Sequence, residues 1–500
     1  MLDSVTPFAN WLEFAWQRYY KSQNTLDLPD VIAHADVNYC WPHYQNNLLS
    51  RFWAGSYLPG AVEIVDLPKD RLTVRPLARL SLEDRLIYEA LVFSIAELID
   101  GELPDNVYSY RWSKFKGDLR APIGSWVKMQ ERGRALHEKY PAKLLAKTDI
   151  TSFYEHIDID VLLEDLTCLG VRMWTRKHLE FFLRSFQRMN HVGGIPQGPD
   201  ASGVLANLYL LPVDTSLQRK GVEYLRYSDD LALFGSSWEE LRQELISINR
   251  IMRGRRLSMS GAKTKVLLAH EVAEEFDNGD KDAIRYGVDI QSPLAGDLVR
   301  RLFDSATSEQ PPNARDIRFT LNQMIRLDDD YAVEWVVQNF SQVPHLAPSI
   351  INYLESFYGK SKAEIAPPLE SMLTFRSLKS YPYAEHHLLC FLLRRSIYSK
   401  SVYESAWNIL SNRNEEGFLR ETSARYIGRY ARPGDGALLK QEFRNERSDP
   451  VRRALIVALY ESQHFNGLWF DDAAESAPNL QWTCHYLKSG PVIPFPVIKR

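Results

Sequence analysis

Residues 223–235 read EYLRYSDDLALFG, with Asp229 and Asp230 side by side between two runs that alternate like strands. Adjacent carboxylates at a hairpin tip repel, so the string is either a solvated acidic turn or half of a metal site. A second acidic position upstream separates the two. AKTDITSFYEHID (146–158) puts Asp149 at the end of another apolar, strand-like run, followed by Phe153 and Tyr154. Carboxylates delivered from neighbouring strands can hold two divalent ions about 3.5–4 Å apart, the arrangement that drives in-line phosphoryl transfer. Magnesium prefers hard oxygen ligands and keeps several waters, so few carboxylates suffice. Between the acidic strings lies GGIPQGPDASGVLANLYL (193–210). Its glycines and Pro196 allow close backbone approach to a ligand, and Gln197 adds an amide beside it.

Secondary structure must bring these residues together. The expected strands are LLAKTDI (144–150) and the two arms around Asp229, and ASGVLANLYL reads as a helix running under the site. Further upstream, residues 73–100 pass from an extended start into a strong helical pattern, with Ser81 and Asp84 as its start signal. After about residue 295 strand alternation fades, and amphipathic segments of helical period recur between short polar turns. ERSDPVRRALIVALYES (446–462) is one: Asp449 reads as the cap, Pro450 as the first helical residue, and Val451, Leu455, Ala458 and Leu459 as one face. NEEGFLRETSARYIGRYARPG (414–434) is a weaker version about 30 residues earlier, which predicts a stacked helical-repeat array of the HEAT kind. An irregular helical bundle is the competing reading. PLAGD (293–297) is the expected junction.

At 500 residues, two or more domains are expected. The composition is globular, 45% hydrophobic and 25% charged, and no apolar run reaches membrane-spanning length. The start lacks a basic segment followed by an apolar one, so a cytoplasmic protein with no membrane association is expected. Four widely spaced cysteines argue against disulfides or a zinc site. A net charge of −4 argues against extensive grip on a nucleic-acid duplex, which needs a basic excess.

The order Asp149-I-T-S-F-Y, then G-I-P-Q-G, then Y-S-D-D resembles the central motifs of reverse transcriptases. The likeness extends outward. VDLPKDRLTVRPLARLSLEDRLIYEAL (65–91) is similar to the fingers segment of bacterial and intron-type enzymes, YSYR (108–111) to a short Y-G-F-R string, and RRLSMSGAKTKV (255–266) to a late palm motif. The resemblance implies that Asp149 and Asp229 hold two Mg2+ ions, with Mn2+ as the alternative, that the Ile150 carbonyl is a further ligand, and that Asp230 supports the acidic cluster. It implies that Tyr154 stacks on the sugar and excludes a 2′-hydroxyl, that Gln197 contacts the incoming nucleotide, and that Lys69, Arg75 and Lys263 neutralise the triphosphate. Lys69 and Lys263 each have a competing reading as solvated surface lysines. Phe153 reads as core, pointed away from Tyr154 by strand alternation. Arg452 and Arg453 read as surface or inter-repeat contacts, and His386 and His387 as structural.

The expected fold is α+β: a right-hand-like fingers and palm domain over 1–292, with fingers about 1–143 and palm about 144–292, followed by an all-α HEAT-like repeat domain over 293–500. No endonuclease, protease or RNase H-like motif is evident. Ser228 stands where alanine is common in bacterial relatives, a small-for-small change expected to matter little. This combination resembles the bacterial abortive-infection reverse transcriptases of the AbiK type. That resemblance implies anti-phage defence, template-independent polymerisation of dNTPs, priming from a protein tyrosine hydroxyl, a single-stranded DNA product covalently attached, and a homo-oligomer. Tyr44, Tyr39 and Tyr20 are the priming candidates. Two other readings stand beside it: an RNA-templated DNA polymerase using a separate RNA, and a non-catalytic nucleic-acid-binding scaffold.

Overall fold

The computed structural model describes residues 2–276 and 279–497. They form two compact units. The first comprises Met1–Gln17, Leu48–Asp66 and Pro76–Gly279, and the second Arg18–Asn47, Leu67–Arg75 and Asp280–Arg500.

The first unit mixes helices and strands. Strands β1 (Glu63–Pro68) and β2 (Val74–Arg79) pair with each other, as do the short β3 (Trp112–Ser113) and β4 (Asp118–Leu119). Strands β5 (Leu144–Thr148), β6 (Tyr224–Tyr227), β7 (Asp230–Gly235) and β8 (Lys265–Leu267) make an antiparallel sheet in the order β6-β7-β5-β8. Side chains alternate across a strand, so Leu145 and Lys147 share a face with their register partners Phe234 and Ala232. That face carries an apolar cluster of Met129, Leu136, Leu145, Leu225, Phe234 and Phe276. Gly133 is required there, because a Cβ would stand 2.3 Å from the Phe276 ring.

The expected helix after residue 81 is Leu82–Glu102, and the Ser81 side chain accepts the Asp84 N–H at 3.1 Å. Asp84 turns inward as well, accepting the Tyr57 hydroxyl at 2.6 Å and the Gly60 N–H at 3.0 Å. The helix Asp200–Arg219, expected from ASGVLANLYL, is buried along all of residues 201–210 and packs on Leu82–Glu102.

Apart from the β1–β2 hairpin segment Leu67–Arg75, the second unit is helical, with no strand after residue 295 among the described residues. Ala314–Leu327, Ala347–Phe357, Pro382–Arg394, Gly417–Arg429, Asp449–Glu461 and Gln481–Lys488 pack each on the next, making one row. Val333–Asn339, Lys362–Thr374 and Lys400–Ser411 make a second. The helix expected around residue 450 forms, but Ser448, not Asp449, holds the N-cap position, and Asp449 and Pro450 lie in the first turn. Its middle, residues 454–459, is buried all round rather than on one face, while Pro450 is exposed and Arg452 and Tyr460 are half-buried. The contact with Gly417–Arg429 is backbone to backbone: a Cβ on Gly428 would stand 2.3 Å from the Ala458 Cα.

Arg453 is not a surface residue. Its guanidinium is gripped by Asp36 (2.9 and 2.8 Å) and Asp30 (2.5 and 3.3 Å), which tie the segment Arg18–Asn47 into the helical unit. Burial alone would raise both carboxyl pKa values, but the Arg453 charge outweighs it and holds them below the usual carboxylate range. His386 and His387 are buried, with His386 hydrogen-bonded to Thr422 at 2.8 Å.

Candidate active site

The antiparallel register pairs Thr148 with Leu231 and Tyr227 with Asp230. Continued by one residue, it sets Asp149 opposite Asp230 on the same face, with Asp229 in the turn beside them. Asp149 is 4% exposed, Asp229 half-buried and Asp230 exposed. The sheet face thus runs from an apolar core to an acidic end, which is why the strands hold carboxylates that would otherwise repel.

On the other side of Asp149 lies the segment before β8. The Ser260 N–H donates to the Asp149 carbonyl (2.8 Å) and the Thr151 N–H to the Ser258 carbonyl (2.9 Å), with Ile150 bridged to Met259. In such a non-hydrogen-bonded pair the backbone groups of the central residue point away from the partner strand. The Ile150 carbonyl therefore points toward the side where the Asp229 turn lies, while the Ile150 N–H bonds the Asp149 carboxylate at 2.8 Å. Lys263, expected near the triphosphate, is ion-paired with Asp149 Oδ2.

Asp149, Asp229, Asp230 and the Ile150 carbonyl are hard oxygen donors of the type that divalent ions such as magnesium prefer. Among the described residues, no group of three or more His, Cys, Asp or Glu side chains is placed to hold a metal ion as it stands.

Tyr154 stands beside this acidic end. Burial, with the charge of Asp229 nearby, pushes its pKa up, against the opposing influence of the neighbouring Ser228 and Tyr110 side chains. Tyr110 is raised further, by Tyr154 first and then by burial and Asp200. Ser228 lies near the Tyr154 hydroxyl. Phe153 is core as expected (3% exposed), but for a different reason. Residues Phe153–His156 form a helical turn after Ser152, whose φ is 45°, so strand alternation does not apply.

The GGIPQG loop packs against Tyr154. The Ile195 N–H donates to the Tyr154 carbonyl at 3.0 Å, and Gly194, at φ +72°, passes so close that a Cβ would overlap that oxygen. The Gln197 carbonyl accepts the Ala78 N–H of β2 at 2.8 Å. Lys69 and Arg75 are exposed on the β1–β2 hairpin, where Asp70 accepts the Leu72 and Thr73 N–H groups at 2.7 Å. They belong to the second unit and are not among the side chains the first unit gathers at Asp149. The candidate primers also lie in the second unit. Tyr44 is buried (5% exposed) beside Trp41 and Trp482, Tyr20 is half-buried, and Tyr39 is exposed.

One network escaped the sequence reading. Arg226 and Asp214 are both fully buried, joined at 2.7 Å, and Arg226 also donates to Asn207 Oδ1 and to the Ser228 carbonyl, each at 2.9 Å. Asn207 in turn donates to the Ser109 carbonyl (2.8 Å), and the Ser109 hydroxyl accepts the Ser228 N–H (2.7 Å). Both backbone groups of Ser228 are thereby held, which fixes its φ of 58°, a region unfavourable for a residue with a Cβ. The available signal was a charged residue inside an apolar strand and an Asn and an Asp inside an apolar helix, since buried charges need partners.

Residues 67–293 match the family model described as reverse transcriptase (RNA-dependent DNA polymerase). This match marks the segment as a nucleotidyltransferase, a DNA polymerase of the reverse-transcriptase type. Among solved structures, a telomerase from Candida albicans, in complex with a TWJ fragment of telomeric RNA, is similar at 14% identity with a TM-score of 0.32, over 65% of this chain and 68% of that one. An apo telomerase from Candida tropicalis is similar at 10% identity with a TM-score of 0.31, over 79% and 72%. No curated protein matches the chain. No helix among the described residues is long and apolar enough to cross a membrane.

Proposed function

We propose that this chain is an abortive-infection reverse transcriptase of anti-phage defence, which polymerises dNTPs without a nucleic-acid template from a tyrosine hydroxyl of the protein itself. The observation that carries the polymerase reading is the register that sets Asp149 opposite Asp230 beside the Asp229 turn, in the segment that matches the reverse-transcriptase family. Two Mg2+ ions held there would polarise the transferring phosphoryl group and stabilise the attacking and leaving oxygens. Asp149, Asp229 and the Ile150 carbonyl are their ligands, and Asp230 supports them. Tyr154, beside the Ser228 and Tyr110 side chains, forms the wall against the sugar and selects deoxynucleotides. Gln197 contacts the incoming nucleotide, and Lys69, Arg75 and Lys263 meet the triphosphate, where charge builds during transfer.

The defence reading rests on two supports. The net charge of −4 suits a product tethered covalently, since a tether replaces duplex grip. The rows of packed helices suit a HEAT-like repeat domain behind the polymerase. In this reading the protein is a cytoplasmic homo-oligomer carrying a single-stranded DNA product.

Purified protein incubated with magnesium and labelled dNTPs, without template or primer, then treated with nuclease and run on a denaturing gel, tests it. Label that stays on the protein is the expected result, and its loss on replacing Tyr39, Tyr44 or Tyr20 by Phe identifies the primer. A second reading, RNA-templated synthesis, is favoured by the match of residues 67–293 to a family of RNA-dependent DNA polymerases. Incorporation that appears only with added RNA template and primer would establish it and overturn the first.

A further inference from the structure

Residues 491–497, PVIPFPV, have no helix or strand of their own and cross three helices of the second unit. Each helix supplies one donor. The Tyr460 hydroxyl donates to the Pro491 carbonyl at 2.9 Å, Arg425 to the Pro494 carbonyl at 2.7 Å, and Arg394 to the Pro496 carbonyl at 3.1 Å. The Phe495 ring lies 5.5 Å from the Arg425 guanidinium and 5.7 Å from that of Arg429, within cation–π range.

The donors are held without the segment. Arg394 makes a two-pronged pair with Glu355 at 2.7 and 2.8 Å, and Arg425 pairs with Glu461 at 3.4 and 3.2 Å. Removing 491–497 would leave both guanidiniums paired and in place. The segment itself offers mainly carbonyls, since its three prolines have no N–H to satisfy. Val492 is 95% exposed, Pro496 is buried and the other residues of the segment are half-buried. Gly490, at φ +70°, follows directly on the helix Gln481–Lys488 and its Ser489 cap and turns the chain into the segment.

An extended proline-rich peptide has no internal hydrogen bonds, so its free carbonyls are open to side-chain donors, and its preformed backbone makes binding cost little entropy. We propose that Arg394, Arg425, Arg429 and Tyr460 form a peptide-binding site for an extended segment of another protein carrying prolines around an aromatic residue. Residues 491–497 are its occupant in cis, displaced when that partner binds.

The test uses the full chain and a fluorescein-labelled peptide of residues 490–497, GPVIPFPV, read by fluorescence anisotropy. In the wild-type chain the tethered segment competes at an effective concentration on the order of millimolar, so the peptide binds weakly. In Phe495→Ala, which removes the ring contacts but keeps the three carbonyl bonds, the tethered segment competes less well and the peptide should bind at least about tenfold tighter. A chain ending at Ser489 is a second form with the site open, and circular dichroism melts show whether each is folded. Tyr460→Phe with Arg429→Ala, added to Phe495→Ala, should weaken the peptide, as should replacing the peptide's Phe by Ala. The proposal fails if the open forms, folded, bind the peptide no better than wild type, or bind the Phe-less peptide equally well. It also fails if wild type forms a concentration-dependent dimer that Phe495→Ala abolishes, since the occupant would then be a second copy.

Discussion

Arg226 and Asp214, twelve positions apart, form a fully buried ion pair whose guanidinium also bonds the carbonyl of Ser228, the residue that starts the acidic turn. A charge removed from water survives only with its partner, so replacing one member alone is expected to cost about 3–5 kcal/mol. Arg226→Leu should therefore lower the urea midpoint sharply. Arg226→Leu with Asp214→Leu should recover much of that stability and still not hold the Ser228 turn. For this double variant, dNTP incorporation should need on the order of 10–100-fold more magnesium. A double variant with unchanged magnesium dependence would show that the pair is structural only.

Asp149→Asn and Asp229→Ala remove oxygen donors at strand ends, one buried and ion-paired with Lys263 and the other half-buried, and both keep nearly the same or a smaller side-chain volume. Both should melt close to wild type while incorporation of labelled dNTPs falls to background. A variant that unfolds would mean the carboxylates stabilise the sheet, and activity that persists would remove them from the site.

Tyr110 connects the site to Gly203. A Cβ at Gly203 would stand 2.4 Å from the Tyr110 ring. Gly203→Ala should cost about 1–3 kcal/mol by overpacking, and it should displace Tyr110 from the Tyr154 hydroxyl, raising ribonucleotide incorporation relative to deoxynucleotide. Gly101, which has open space around it at a helix end, is the control. There alanine should be neutral or stabilising by about 0.4–1 kcal/mol.

The Arg453 clamp predicts a pH dependence for the helical unit. Asp30 and Asp36 have folded pKa values below the unfolded value near 3.8, so their contribution is present above that pH and is lost as pH falls toward the folded values. Arg453→Met should cost about 3–5 kcal/mol at pH 7. The gap in urea stability between it and wild type should narrow as pH drops from about 7 to about 3. A gap that stays constant would mean that the carboxylates are not charged partners of Arg453.

Much of the site was legible. The strand alternation around Asp149 and Asp229, the Ser81 cap, the helix after GIPQG and the change to helices after 295 are all short-range signals, carried by neighbours within one or two turns or pleats. What misled was also local. Alternation extended through Phe153 fails because the chain turns at Ser152, and the one-sided face drawn for 449–461 fails because neighbouring helices cover the other side.

By itself, then, the sequence determined the order of elements and the residue types at the end of each strand, since backbone periodicity and capping act over a few residues. Only the tertiary structure decided the partners. The register of two strands distant in sequence brings Asp149 beside the Asp229 turn, Arg226 is held by Asp214 of a helix, and Arg453 closes on Asp30 and Asp36 across 423 and 417 positions. Whether a buried charge is stabilising depends on which group lies opposite it. That is a property of packing, and no local pattern records it.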